Sequence, residues 1–126
     1  MKTIKLLAVL LFSVMSTFAQ ENKQKVVAVV TKANWCPACV QNGERVMNEV
    51  LSKVNTKKVA IVSNDLTDQK TKMSSNESLK QYGINNLDLK ETAVISFVDT
   101  KTKKVVKSIS ITKSSKEILK EFTANY

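Results

Sequence analysis

The sequence predicts an α/β fold: one central, mixed, four-stranded sheet with helices on its faces. Three observations carry that expectation. Short runs rich in β-branched residues alternate with stretches of helical periodicity, the layout that places helices over a sheet. The last two strand-like runs, Ala93–Val98 and Val105–Ile111, are separated only by a charged turn and so form an antiparallel hairpin. The segment Trp35-Cys36-Pro37-Ala38-Cys39, between the first such run and the first helical pattern, holds both cysteines, the one proline and the one tryptophan of the 126-residue chain.

The chain opens with Lys2 and Lys5 and then the apolar Leu6–Phe12, ending near Thr17-Phe18-Ala19. This reads as a cleavable export signal cut after Ala19. The apolar run is shorter than the ~20 residues of a membrane span. The remaining stretch, Gln20 to Tyr126, is the length of one ordinary domain with one core.

Polar Gln20–Gln24 form an arm. Val26-Val27-Ala28-Val29-Val30 is a continuous apolar run, as in a strand covered on both faces. Lys32 to Trp35 connect it to a helix opened by Pro37, which tolerates the first turn because a backbone donor there has no partner. Val40, Met47, Val50, Leu51 and Val54, with Gly43, recur in helical steps and are expected to form its buried face. Lys53, Lys57 and Lys58 complement the negative end of its dipole. Val59–Val62 is a second buried strand, and Asn64–Asp68 a turn. A ragged helical turn over Gln69–Ser75 precedes a firmer helix from Glu77 to Tyr82, capped by Ser75 or Asn76 and ended by Gly83. In the fourth strand, Ser108 and Ser110 alternate with Ile109 and Ile111, the pattern of an edge. Ser114 and Glu117 fit a capping box for a last helix whose apolar face is Ile118, Leu119 and Phe122.

Composition excludes several chemistries. There is no histidine, so neither a histidine-based triad nor a c-type haem attachment is available; Val40 stands where the latter needs histidine. The net charge is +9, but of 20 basic residues only Arg45 is an arginine. Dispersed lysines describe a solvated basic surface rather than a nucleic-acid site, which favours the bidentate arginine fork.

Two cysteines separated by two residues at a helix start point to thiol–disulfide exchange. The attacking species is a thiolate, and unpaired backbone N–H groups with the positive end of the dipole favour it there. Cys36 is the expected nucleophile, Cys39 the resolving thiol, and Lys32 adds nearby positive charge. A purely structural disulfide is a poor alternative, since closing so small a ring constrains the unfolded chain by only ~2 kcal/mol, against ~3 for a fifteen-residue loop. The competing reading is a binding protein that holds a soft ion such as copper(I), or an iron–sulfur cluster shared with a second subunit, through the two thiolates.

Trp35-Cys36-x-x-Cys39, set after an apolar strand and opening a helix, resembles the active site of the thioredoxin superfamily. The resemblance runs from Val26 to Phe122 and implies a thioredoxin-like three-layer α/β/α fold. Tyr82-Gly83-Ile84 and the strand through Phe97 add to it, and Asp65-Leu66-Thr67 is similar to the periplasmic C-terminal domain of the transmembrane reductase DsbD. It implies that Cys36 attacks, that Cys39 resolves, and that Trp35 belongs to the partner-docking surface, with Pro37 and Thr92 also against the substrate. Two positions depart from the family pattern: Val30 stands where thioredoxins carry a buried aspartate, and Thr92 where the superfamily usually has a cis-proline. The implied activity is an exported, periplasmic or secreted, monomeric thiol–disulfide oxidoreductase, acting as a reductase of protein disulfides. It would take electrons from a membrane partner and need no cofactor.

Overall fold

A computed structural model describes residues 24–124. The expected export signal lies outside the described residues. The elements, in order, are β1 (Val26–Lys32), α1 (Pro37–Glu49), a single 3-10 turn (Leu51–Lys53), β2 (Val59–Asp65), α2 (Gln69–Lys80), β3 (Val94–Asp99), β4 (Val105–Ser110) and α3 (Ser115–Ala124). The sheet order is β2-β1-β3-β4. β1 pairs parallel with β2 and antiparallel with β3, and β3 pairs antiparallel with β4. This is the mixed four-stranded sheet expected from the sequence.

Because strand side chains alternate, the unbroken run of β1 feeds two cores at once. Val26, Ala28 and Val30 pack with Val46 and Val50 of α1, Ile95 and Phe97 of β3, and Ile118 and Phe122 of α3. The rings of Phe97 and Phe122 meet edge to face with centroids 5.0 Å apart. Val27 and Val29 face the other way, onto Ala60, Val62, Leu79 of α2, and Ile84. The β1 centre is therefore closed to water on both sides, and the C-terminal end of β1 delivers the cysteine segment to the rim of the sheet.

Three local expectations are corrected. The inward face of α1 is Cys39, Val46 and Val50, while Val40 and Met47 are 68% and 56% exposed. Both line a groove whose other wall includes Ser63 and Asp65 of β2, the edge strand, so the apolar stripe there stays open. β2 runs on through Asn64 and Asp65 rather than turning at Asn64. The segment after it is one helix: Asp68, not Ser75 or Asn76, caps α2 by accepting from the Thr71 N–H (2.9 Å), while Asp68 N–H donates to the Thr71 hydroxyl (3.0 Å). Ser75 is inside that helix and buried, accepting from Asp65 N–H at 2.8 Å. Gly83 ends the segment at φ +69°, where a side chain would be strained. Ser114 caps α3 as expected, accepting from Glu117 N–H at 3.2 Å and donating to its carboxylate at 3.1 Å. No described helix is long and apolar enough to cross a membrane.

Candidate active site

The chain leaves β1 through a tight loop. Cys36 N–H donates to Ala33 C=O at 3.2 Å, closing the turn that presents Trp35. A side-chain chain from β2 holds this turn: Asn34 N–H donates to the Thr67 hydroxyl (3.0 Å), and that hydroxyl donates to Asp65, whose carboxylate also accepts Thr67 N–H at 2.9 Å. Trp35 is 60% exposed and Pro37, at the first position of α1, is exposed beside it.

Cys36 is the N-cap of α1, with extended backbone (φ −91°, ψ 112°). Its sulfur accepts the Cys39 N–H at 3.3 Å, so it occupies the place where an N-cap oxygen usually satisfies a free helix donor. Both cysteines are buried, and both are free thiols. Cys39 follows one turn later, on the inner side of the helix.

From the opposite side comes the loop before β3. Thr92 is half-buried, and its side chain is among the groups that lower the Cys36 thiol. The next residue, Ala93, has φ +62°. The structure thus brings Trp35, Cys36, Pro37, Cys39 and Thr92 to one rim.

Electrostatics separate the two thiols. Burial pushes the Cys36 thiol up, but hydrogen bonds from the Cys39 and Thr92 side chains and from the Cys39 and Ala38 backbone outweigh it and hold the group below its ordinary value. Burial also pushes Cys39 up, and there the neighbouring Cys36 side chain adds to the effect, so Cys39 stays above the ordinary thiol range. Lys32 has a different partner from the one expected. It stands beside Asp65, the residue it pairs with across β1 and β2, and its charge lowers that carboxyl.

A groove of about 300 Å³ opens next to the cysteines, lined by Cys39, Val40, Gly43 and Met47 on the helix side and by Lys32 and Asp65 on the strand side. Val30, also in its wall, is 8% exposed and supplies no proton-transfer group. Among the described residues, no group of three or more His, Cys, Asp or Glu side chains is placed to hold a metal ion.

No protein-family model matches the sequence, and no curated protein matches it. The fold is similar to that of Trxlp from Edwardsiella tarda EIB202, known from a crystal structure. The TM-score is 0.50 at 16% sequence identity, over 81% of this chain and 86% of that one. The fold is thioredoxin-like. Two cysteines three residues apart on a thioredoxin-like frame are consistent with redox chemistry.

Sequence reasoning missed the surroundings of five residues at or beside this site. Asp65 and Thr67 brace the Trp35 turn, and the pattern Asp-x-Thr, a short acceptor followed by a hydroxyl, was their available signal. Val40 and Met47 line the groove instead of the core. Asn64, a buried amide at the end of an apolar strand, carried the signal of a polar residue where a valine would pack.

Proposed function

We propose that this chain is an exported thiol–disulfide oxidoreductase that reduces disulfides of periplasmic proteins through Cys36 and Cys39. The observation that carries the reading is the asymmetry of the pair. Cys36 caps α1, accepts the Cys39 N–H at 3.3 Å and is held below the ordinary thiol range, while Cys39, one turn behind it, is held above.

In the first step the Cys36 thiolate attacks one sulfur of a partner disulfide. The partner S–S bond breaks as the Cys36–partner bond forms, and the displaced partner sulfur leaves as a thiolate that takes a proton. Cys39 then loses its proton to solvent in the adjoining groove and attacks the Cys36 sulfur. The mixed bond breaks, the second partner sulfur leaves reduced, and the two electrons of the dithiol have passed to the partner. A membrane partner would restore the Cys36–Cys39 dithiol. Raising the Cys39 pKa has a use in this cycle, because a thiol that stays protonated gives the mixed disulfide time to form before it is resolved.

The exposed rim of Trp35, Pro37, Val40 and Met47 would receive the partner. Apolar groups there lose water on docking without any charge being buried. Export and a periplasmic site rest on reading the N-terminal segment as a signal cut after Ala19.

The test is capture. In the native host, Cys39→Ser is expected to accumulate mixed disulfides through Cys36 that reductant releases. Trapping only in Cys36→Ser would reverse the two roles. A purified wild-type protein that neither reduces nor forms disulfides in glutathione buffers would remove the oxidoreductase reading.

A further inference from the structure

Two different parts of the fold hold the two halves of the cysteine segment. Cys36 belongs to α1: its sulfur accepts the Cys39 N–H at 3.3 Å and its carbonyl accepts the Val40 N–H at 3.1 Å. Trp35 lies outside the helix. It stands at the third position of a four-residue turn, Ala33 to Cys36, closed by the Cys36 N–H on the Ala33 carbonyl at 3.2 Å. With 60% of its surface exposed, it depends on that turn for its place.

One peptide group joins the turn to the end of β2. The carbonyl of the Ala33–Asn34 peptide accepts from Cys36, and its N–H donates to the Thr67 hydroxyl at 3.0 Å. That hydroxyl directs its own proton to the Asp65 carboxylate, which also accepts the Thr67 N–H at 2.9 Å. A hydroxyl whose hydrogen is committed to an anion presents its lone pairs to the next donor in a fixed direction. Hydrogen bonds linked in this way also strengthen one another. Thr67 is itself anchored on both sides. Leu66 N–H donates to the Lys32 carbonyl at 2.8 Å, and Asp68 caps α2 by accepting the Thr71 N–H at 2.9 Å.

We propose that Thr67 is a positioning residue that sets specificity for protein disulfides: through the Ala33–Asn34 peptide it holds Trp35 where a docking polypeptide meets it, while the helix holds the Cys36 sulfur. The inference deepens the proposed oxidoreductase function and rests on its reading of Trp35 as docking surface. Thr67 acts through the main chain and leaves the chemistry of the sulfur to α1. A polypeptide that docks on an indole free to swing must first arrest it, and the lost freedom weakens association. Glutathione disulfide offers no polypeptide surface to that indole and needs only the sulfur. Loosening the turn therefore separates the two classes of substrate.

The sole tryptophan of the chain is the probe. Time-resolved fluorescence anisotropy of Trp35 in the purified, reduced protein is expected to show a larger fast-depolarising amplitude in Thr67→Val, which keeps the shape and removes the hydroxyl. Thr67→Ser is expected to restore the wild-type decay. In the same variants, kcat/KM is measured for insulin, as the protein disulfide, and for glutathione disulfide. The ratio of the first to the second is expected to fall roughly three- to ten-fold in Thr67→Val, the scale of one lost hydrogen bond, and to fall through KM. The pH midpoint of Cys36 alkylation by iodoacetamide is expected to stay at the wild-type value. An unaltered Trp35 decay in Thr67→Val, equal losses on both disulfides, or a displaced alkylation midpoint would overturn the proposal. If Thr67→Val does not fold, Asp65→Asn keeps the size and removes the charge that directs the hydroxyl; greater Trp35 motion there supports the latch and none refutes it. Anisotropy reads the turn whether or not any disulfide is reduced. Failure of the latch is therefore distinguishable from failure of the oxidoreductase reading, which a wild-type chain inert towards both disulfides reports.

Discussion

Arg45 on α1 donates to the main-chain carbonyl of Ile111, just past the end of β4, at 2.7 Å. The same guanidinium reaches Ser115 Oγ (2.7 Å) at the start of α3, the Lys113 carbonyl (3.1 Å) and Asn42 Oδ1 (3.0 Å). Ser115 in turn donates to Glu49 at 2.7 Å. The helix that carries the cysteine pair is thereby tied to the β4 edge and to the start of α3 by a planar fork, with Nη1 donating to Ser115 and the two Nη2 hydrogens shared among the other three acceptors.

A lysine offers one point charge in place of that fork. Arg45→Lys is expected to destabilise the chain by roughly 1–3 kcal/mol, the range for losing hydrogen bonds to a charged group and leaving part-buried acceptors unpaired. Urea unfolding measures it as a lower midpoint at unchanged slope. An unaltered midpoint would show the fork to be dispensable.

The rotation of α1 relative to its apolar stripe gives a second test. Val46 and Val50 are fully enclosed, whereas Val40 and Met47 stand open over the groove. Val46→Ala or Val50→Ala should cost about 2 kcal/mol through lost burial and the cavity left behind. Val40→Ser and Met47→Ser should change stability by less than about 0.5 kcal/mol. They should slow exchange with a protein disulfide while leaving exchange with glutathione disulfide unaltered. Equal losses on both substrates would remove the rim from partner docking.

The two cysteines should titrate apart. Cys36 lies below the ordinary thiol value of about 8.5 and Cys39 above it. Between the depressed Cys36 value and about 8.5 the unfolded chain binds more protons than the native one, so stability of the reduced protein rises with pH; above about 8.5 the native chain retains the Cys39 proton longer, and stability falls. Thermal unfolding of the reduced wild type should peak near that pH, and the rising limb should vanish in Cys36→Ser. A rising limb that survives the substitution would assign it elsewhere.

Asp65 contributes to the acid limb. The Thr67 hydroxyl lowers its carboxyl, against the opposing push of burial, with further help from the Thr67 backbone and Lys32. A carboxyl depressed in the native state contributes stability that is complete above its unfolded value of about 3.9 and lost as pH falls through the native value. Asp65→Asn should be less stable than wild type at pH 7, with the difference closing below pH 4. A gap that stays constant from pH 7 to pH 3 would mean that the charge plays no part.

The fold was largely legible because alternation and runs of β-branched residues act locally. Val26–Val30 could hardly be anything but a doubly covered strand, and Pro37 marked the helix start. The cysteine pair was legible for the same reason, as residues of one turn. What escaped depends on rotation and on distance along the chain. Whether Val40 or Val46 faces inward differs by a fraction of a helical turn, and the neighbour that settles it, the β2 edge, is some twenty residues away. Asn64 has the composition of a turn residue; the bonds that make it a strand residue go to Thr31 and Leu89. Sequence proximity puts Lys32 near Cys36, and the parallel register gives it to Asp65 instead.

The left-handed backbone at Ala93 has a consequence for anyone improving this protein. An alanine held there stores about 1–2 kcal/mol that a glycine would release, less what the glycine costs through its looser unfolded state. A search for heat tolerance alone would therefore tend to select Ala93→Gly. The hardier variant would gain its margin by relaxing the peptide that joins the ends of β1 and β4, where Ala93 N–H meets Thr31 and its carbonyl meets Ile111.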